Sequence, residues 1–211
     1  MMRAYDQNLL NKARGSLAGM FEYAVNGYGL ALEEFYLQFL RSSLAGDFAA
    51  GDSSVLAGMS GVEMAYRVIL ENDAGAVLAK PVFQVNKSPE YWLGWALAYY
   101  QWYRNLSFDR ITENVGVNDV LLMYPKYHEM DIMHFVEALD EMRAAAYPES
   151  ALKRFRMYAG LSQKQLAEKT DIPVRTIQQY EQRQKNINHA QADYVIRMAQ
   201  VLYCRPEDLL E

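Results

Sequence analysis

Side chains that donate and accept hydrogen bonds are concentrated between Thr170 and Asn188, a stretch that reads TDIPVRTIQQYEQRQKNIN. Isoleucines recur in it at helical spacing, so one side of a helix can be buried while amide and cationic groups face outward. From Ser150 to Ala190 the chain carries 8 Lys and Arg against 3 Asp and Glu. This excess of positive charge indicates a polyanionic partner, although charged residues on a helix face often serve only to solvate it.

Other residues could carry catalysis or bind a metal, but their spacing argues against both roles. His128, Glu129, Asp131 and His134 lack the i, i+4 histidine pair of a helical zinc site and are more typical of a solvated helix start. The segment GDSS at 51–54 is not GxSxG and has no positioned base. Neither GxGxxG nor a Walker A loop is present. We therefore expect no enzyme, no bound metal and no cofactor.

Composition indicates a globular protein of the cytoplasm. The 211 residues are 51% hydrophobic and 22% charged, with a formal net charge of −5. The single cysteine, Cys204, cannot form an intrachain disulfide and is expected to be packed. Asp6, Lys12 and Arg14 interrupt any signal peptide. The most apolar window, Trp92 to Tyr103, is 12 residues long, which is too short to span a bilayer.

Charge and proline placement divide the chain into two domains. Residues 150–211 hold 10 Lys and Arg against 7 Asp and Glu, whereas the first 149 residues hold 11 against 19. The last apolar helical pattern of the acidic part stops at Pro148, so the boundary is placed within Tyr147-Pro148-Glu149-Ser150. We expect an acidic domain at 1–148 and a basic domain at 149–211.

Apolar spacing predicts that the acidic domain is helical. Ser60 is expected to cap one helix, and Ser88-Pro89-Glu90 combines a capping hydroxyl, a first-turn proline and an acid to start another. Residues 73–87 are expected to be extended, since Pro81 disfavours a helix. The other predicted helices carry Leu9, Leu10, Ala13, Leu17, Met20 and Phe21; Leu32, Phe35, Tyr36, Phe39 and Leu40; and Ile132, Phe135, Val136, Leu139 and Met142. The predicted fold class is all-α.

Residues 91–108 hold eight aromatic residues, including all three tryptophans. As a helix the segment is apolar on two sides, so both sides must be covered. The favoured interpretation is a central core helix. The alternatives are a subunit interface, a ligand pocket lined by the rings, and a membrane-surface helix, which the scarcity of lysines disfavours.

The basic domain is predicted to contain five short helices. Its first helix stops at Gly160, and Ser162 caps a second, QKQLAEKT. Asp171-Ile172-Pro173 leads to the third helix, and Pro206 starts the fifth. The second helix has Leu166 and Ala167 as its inward pair. The first, third and fourth helices carry the apolar residues Leu152 and Phe155; Ile177 and Tyr180; and Val195, Ile196, Ala199 and Leu202. A small residue such as Ala167 suits the close approach of two helices in a helix-turn-helix.

LSQKQLAEKTDIPVRTIQQYEQRQ and DYVIRMAQVLYCRPEDLL together resemble the Cro/repressor-type helix-turn-helix domain of the XRE family, over residues 151–211. The resemblance implies a five-helix, lambda-repressor-like fold that binds double-stranded DNA. It also implies that Arg156 and Glu181 form an internal salt bridge. The positions that carry the resemblance are the Leu-Ser-Gln opening, Leu166-Ala167, Ile177 and Glu181.

Four positions depart from the family's pattern. Asp171 replaces the usual turn glycine, which is tolerable because aspartate enters the left-handed region more readily than most residues. Pro173 stands where Ser or Thr usually caps the third helix, so the start of that helix is uncertain. Tyr203 replaces a glycine after the fourth helix, and Arg205 replaces a capping serine before the fifth.

The resemblance assigns four residues to base edges, because the third helix of this family enters the major groove. These residues are Val174, Arg175, Gln178 and Gln179. Arg can bond guanine through two hydrogen bonds, Gln can bond adenine, and Val can contact a thymine methyl. The alternatives are a solvated helix face and a domain that docks a protein instead of DNA.

The same resemblance assigns four residues to the sugar-phosphate backbone. Gln163 would approach a phosphate at the start of the second helix, helped by backbone N–H groups and the helix dipole. Arg183, Lys185 and Asn186, in the loop after the third helix, would position the protein without specifying sequence. The alternative for Arg183 and Lys185 is ordinary surface charge.

The leading hypothesis is a cytoplasmic bacterial or phage-like transcriptional regulator, acting as a repressor. It would bind double-stranded DNA as a homodimer, and its acidic domain would dimerise or bind a partner. The runner-up is an antitoxin-like protein whose N-terminal domain masks a protein partner while the helix-turn-helix regulates its own operon. A third hypothesis, a ligand-sensing regulator, needs a pocket among Trp92, Trp95, Tyr99 and Trp102.

Overall fold

The computed structural model describes residues 3–81, 86–146 and 149–211, and all regular structure in these ranges is helical. The predicted all-α class is confirmed. The chain forms two compact units, Met1–Ala146 and Tyr147–Glu211. Of the predicted boundary, Tyr147 and Pro148 lie outside the described residues. The division of roles between the units remains a prediction.

The described part of the first unit is built from α-helices, and the first of them packs against the fifth and the sixth. A π-helical turn, Tyr23–Gly27, extends the first long helix. In chain order the helices are α1 Gln7–Glu22, α2 Leu32–Arg41, α3 Ser43–Ala49, α4 Ser53–Leu56, α5 Gly61–Asn72, α6 Pro89–Arg104, α7 Phe108–Ile111, α8 Val117–Leu121, α9 Tyr124–Tyr127 and α10 Ile132–Ala146.

The predicted helix starts of this unit are confirmed. Ser60 Oγ accepts the N–H of Glu63, and the Glu63 carboxylate accepts the N–H of Ser60, so a capping box begins α5. Ser88 Oγ accepts the N–H of Tyr91 at 3.1 Å, and proline is the first residue of α6. Residues 73–81 lie outside any helix as expected, whereas 82–85 fall outside the described residues.

Glycines allow α1, α5 and α6 to approach one another at backbone distance. A Cβ atom on Gly94 of α6 would lie 2.6 Å from the Leu17 carbonyl oxygen and 2.8 Å from Ala18 Cα, both on α1. A Cβ atom on Gly61 would lie 2.6 Å from the backbone of Gly19. Because backbone atoms cannot move aside as flexible side chains can, α1 packs closely against both neighbours only where these side chains are absent.

The aromatic segment forms the core helix α6, as the favoured interpretation predicted. Tyr100 is fully buried, and its hydroxyl donates to Asp140 at 2.6 Å and accepts from Arg143 at 3.0 Å. The Trp92 ring packs edge-on against Phe135 with centroids 5.3 Å apart. Trp102 Nε1–H donates to the Tyr5 carbonyl at 2.8 Å. The rings are therefore packed by neighbouring protein groups.

The second unit follows the predicted order of helices. Its helices are α11 Ala151–Tyr158, α12 Gln163–Thr170, α13 Val174–Glu181 and α14 Ala192–Leu202, with 3₁₀ helices at Ile187–His189 and Pro206–Leu209. The predicted fifth helix is thus 3₁₀ rather than α, because Pro206 starts a segment of only four residues. The core contains Leu152, Leu166, Ile172, Ile177, Tyr180, Ile187, Val195, Met198, Ala199, Leu202 and Leu209.

Non-glycine residues occupy the turn positions at which the family usually has glycine. Asp171 closes α12 with φ of +52°, and Tyr203 closes α14 with φ of +53°. Both backbones are left-handed, the conformation for which glycine is the default. Aspartate tolerates it better than tyrosine does. The expectation that Asp171 serves as the turn residue is therefore confirmed.

Candidate nucleic-acid interface

The helix pair α12 and α13 is built from local capping and one tight turn. Ser162 Oγ accepts the N–H of Gln165 at 3.1 Å, and Gln165 Oε1 accepts the N–H of Ser162 at 2.8 Å. This capping box fixes the first turn of α12 at the residue predicted from sequence. The helix ends at Thr170 with Asp171 as its C-cap, and α13 begins at Val174 after Pro173, which provides no side-chain cap.

The two sides of α13 differ in burial. Ile177 is fully buried and Tyr180 is 8% exposed, so this side anchors the helix in the core. At the N-terminal end Val174 is 39% exposed and Arg175 is also exposed. An N-terminal end that protrudes from a buried helix can reach the base edges of a duplex. Val174 and Arg175 are thus accessible, and their contacts with base edges remain a prediction.

A buried salt bridge ties α13 to the first helix of the unit. Arg156 Nε donates to Glu181 Oε1 at 2.6 Å and Nη2 donates to Oε2 at 2.9 Å, which is a bidentate geometry. The Glu181 side chain is only 2% exposed. Hydrogen bonding to Glu181 raises the pKa of the Arg156 guanidinium, so its charge is kept at all physiological pH values. The ion pair implied by the resemblance is confirmed.

The same carboxylate organises two of the predicted contact residues. Gln163 Nε2 donates to Glu181 Oε2 at 2.8 Å, and Gln163 Oε1 accepts from Gln178 Nε2 at 3.4 Å. The chain of bonds therefore runs from the buried ion pair to Gln178 on α13. The Gln163 amide is bonded through both its nitrogen and its oxygen, and the Gln178 amide through its nitrogen, so their remaining donors and acceptors are held in a fixed orientation. Gln179 is half-buried one position further along the helix.

The loop after α13 holds the three other predicted residues, and two of them make contacts within the unit. Arg183 Nε donates to Glu211 Oε2 at 2.8 Å, so an acidic side chain already contacts its guanidinium. Asn186 Oδ1 accepts the N–H of Asn188 at 2.9 Å and starts a 3₁₀ helix. The Lys185 side chain is exposed. The roles of all three in DNA binding remain predictions.

Sequence reasoning missed the role of Glu211. Its carboxylate accepts the N–H of Ala151 at 2.9 Å as well as the Arg183 guanidinium, and its backbone N–H donates to Asn188 at 3.0 Å. These contacts bring together residues separated by 23 to 60 positions in the chain. No periodicity or local motif could have indicated them.

The residues of the first unit considered for metal binding make local structural contacts. Asp131 Oδ1 accepts the N–H of Met133 at 2.8 Å near the start of α10. His128 Nδ1 lies 2.9 Å from the Tyr124 carbonyl, and its ring stacks on the Tyr124 ring. Within the described ranges, no three His, Cys, Asp or Glu residues are grouped as a metal site would require.

The rings considered for a ligand pocket are likewise covered by protein groups. The Arg14 guanidinium lies 3.2 Å from the centroid of the Trp95 ring and 4.8 Å from that of Tyr99. A groove of about 410 Å³ lies elsewhere in this unit, where Val115, Leu122 and Met142 are among its lining residues. Arg14 therefore covers part of the Trp95 and Tyr99 rings, and the ligand-sensing role remains a hypothesis.

The arrangement of α12, the Asp171 turn and the protruding α13 defines a helix-turn-helix. Residues 152–209 match the family model described as Helix-turn-helix, of the XRE type, and no family model matches the preceding part of the chain. No curated protein and no solved structure matches the chain. The domain supports a DNA-binding role of the transcription-regulator type. Across the described residues, no helix combines the length and apolar character needed to cross a membrane.

Proposed function

We propose that the protein is a sequence-specific transcriptional regulator that represses by binding double-stranded DNA through its C-terminal helix-turn-helix. The observation that carries the proposal is the construction of α13. Its core side is buried and braced by the Arg156–Glu181 pair, while Val174 and Arg175 at its N-terminal end are exposed. A rigid helix with a protruding N-terminal end is the arrangement that reads the major groove.

The distribution of charge supports DNA binding by the second unit and argues against DNA binding by the first. Residues 150–211 carry a net excess of three positive charges, whereas the first 149 residues carry an excess of eight negative charges. Positive side chains neutralise phosphates and supply much of the affinity for DNA. The acidic unit repels DNA, which confines the contact to the helix-turn-helix.

We further propose that the protein binds as a homodimer and that residues 1–146 provide the dimer contact or bind a protein partner. One small helix-turn-helix contacts few base pairs, and two copies double the number of base contacts. The eight residues assigned to DNA are Gln163, Val174, Arg175, Gln178, Gln179, Arg183, Lys185 and Asn186.

Genomic footprinting with the purified full chain tests this function directly. We expect protected sites that share a sequence and occur as paired half-sites. A promoter–reporter fusion carrying such a site should lose expression when the protein is supplied, and gain of expression would make the protein an activator instead. The absence of any protected site, together with no gel shift of any duplex at low salt, would refute DNA binding.

A further inference from the structure

An arginine on α14 holds the turn between the two helices of the motif. Arg197 Nη1 donates to the Thr170 carbonyl at 2.7 Å and to the Asp171 carbonyl at 3.4 Å. Nη2 of the same residue donates to Asp193 one turn earlier on α14, at 2.6 Å. The guanidinium also lies 5.2 Å from the centroid of the Tyr194 ring. Four groups therefore fix the position of one side chain.

The carbonyls that Arg197 contacts are those that most need a donor. The last carbonyls of an α-helix have no partner within the helix and carry the negative end of its dipole. Thr170 is the last residue of α12, and its side chain is buried, with Oγ1 donating back to the Leu166 carbonyl. A cation at this end both supplies hydrogen bonds and complements the dipole.

The turn lacks two devices that would otherwise fix it. Asp171 adopts φ of +52° without being glycine, a conformation that aspartate tolerates but that glycine would adopt at lower cost. Pro173 precedes α13 without a capping side chain and has no N–H of its own. Between them lies only Ile172, which is 2% exposed and anchors the turn in the core. Within this short connection, the contacts of Arg197 add to the backbone hydrogen bond from the Ile172 N–H to the Ala167 carbonyl at 3.2 Å.

We propose that Arg197 is a positioning residue for DNA recognition: its contacts with Thr170 and Asp171 set the angle at which α13 leaves the turn. This inference rests on the proposed function. Because Ile177 is held in the core, a shift of the turn displaces the N-terminal end of α13, where Val174 and Arg175 lie, more than it displaces Ile177. Base contacts depend on hydrogen-bond geometry, whereas phosphate contacts tolerate small displacements.

The positioning role of Arg197 can be distinguished from a role in the apolar core, because its side chain is not part of that core. The Arg197 side chain is 30% exposed, and the core of the unit is formed by apolar residues of all four α-helices. Removing the guanidinium leaves these apolar contacts in place. Lysine cannot replace it fully, since one ammonium group cannot imitate the planar fork that reaches the two turn carbonyls and Asp193 together.

The test uses the full chain and begins with the wild-type protein on a duplex selected by footprinting. If the wild-type protein binds no duplex, the proposed function fails, and that failure is distinct from any result with variants. Arg197→Met, Arg197→Lys and the control Arg205→Met are then compared. Arg205 is an exposed arginine of the same unit that pairs with Asp208, away from the turn.

For Arg197→Met we expect at least a tenfold loss of affinity for the selected duplex and less than a threefold loss for an unrelated duplex in the same buffer. Amide exchange of residues 171–176 should accelerate, and Arg205→Met should bind both duplexes like the wild type. Equal losses on both duplexes, or no loss on either, would overturn the proposal. If Arg197→Met does not fold, Arg197→Lys is measured in its place. A three- to tenfold loss of affinity restricted to the selected duplex supports the role. A ratio of affinities for the two duplexes equal to that of the wild type refutes it.

Discussion

At the scale of single residues, the predicted DNA-contacting side chains fall into two groups. Gln163 and Gln178 hydrogen-bond to each other, and Gln163 also bonds Glu181, so their orientation is set before any duplex arrives. Val174 and Arg175 are exposed at the start of α13. Preorganised amides lose little conformational entropy on binding, whereas exposed Arg175 would lose side-chain entropy in making the base contact predicted for it.

Substitution of Arg175 by alanine tests the base contact assigned to it. We expect Arg175→Ala to weaken operator binding by about 1–3 kcal/mol and to relax specificity at one base pair, because a bidentate contact with guanine is lost. Arg175→Lys is the matched control, since it keeps the charge but not the planar fork. It should bind unrelated DNA as the wild type does and still lose discrimination at that base pair. Unchanged footprints for both variants would exclude Arg175 from base recognition.

Lys185 is exposed in the loop after α13 and is assigned to a phosphate. Lys185→Ala should therefore weaken binding to all sequences alike and lower the slope of log K against log salt by about one unit. Lys12→Ala removes an equal charge from an exposed site on α1 and should leave the slope unchanged. A loss that depends strongly on sequence would instead place Lys185 at a base edge.

The only cysteine in the chain is predicted to react slowly. Burial, with a smaller contribution from Asp208, raises the pKa of the Cys204 thiol to about 11. Because the thiolate is the reactive form, its reaction with Ellman's reagent at pH 8 should be roughly 100-fold slower than that of free cysteine. The rate should continue to rise above pH 9. A rate that levels off by about pH 10 would instead show an ordinary thiol with a pKa near 8.5.

At the scale of elements, the parts of the fold that sequence predicted are those set by local chemistry. Ser60, Ser88 and Ser162 cap helices as expected, since capping needs only residues three positions apart. The start of α13 remained open because Pro173 is not a capping residue. The contacts of Arg197 and Glu211 were not foreseen, because they join residues 23 to 60 positions apart. The short helices α3, α4 and α7 to α9 were also missed, since their few residues show no resolvable period.

The close approach of α6 to α1 makes Gly94 sensitive to substitution. Gly94→Ala should lower the free energy of unfolding by about 1–3 kcal/mol, because a Cβ atom there overlaps the backbone of α1. Gly15→Ala on α1 is the control, since nothing lies within 4 Å of its added Cβ atom. It should raise stability by about 0.5–1 kcal/mol through helix propensity. Urea unfolding measures the change in the free energy of unfolding for both variants. Equal changes would show that α1 and α6 can move apart at little energetic cost.

At the scale of the whole molecule, the two units differ in how much their residues indicate about function. The second unit has a local motif with matching geometry and a family match. The first unit has a packed aromatic core, which explains its stability and says little about its partner. Its function cannot be read from sequence, because burial accounts for its conspicuous residues without any ligand. The proposed dimer contact is therefore best tested through its effect on DNA.

If residues 1–146 hold two copies together, the spacing of the half-sites should be fixed. We expect half-site centres separated by about 34–36 Å, one helical turn of about 10–10.5 base pairs, or by a multiple of it. Inserting roughly 5 base pairs, half a turn, between them turns one half-site to the opposite face of the duplex and should reduce affinity to that of a single half-site. Inserting about 10 base pairs restores the face and should recover part of the affinity.

Gel shifts with the full chain on these three duplexes measure the effect, and a duplex that carries one half-site gives the reference. Sedimentation of the free protein supplies the oligomeric state independently. Equal affinity for all spacings would mean that the two helix-turn-helix units bind independently. The proposal that residues 1–146 hold two copies together on DNA would then be refuted.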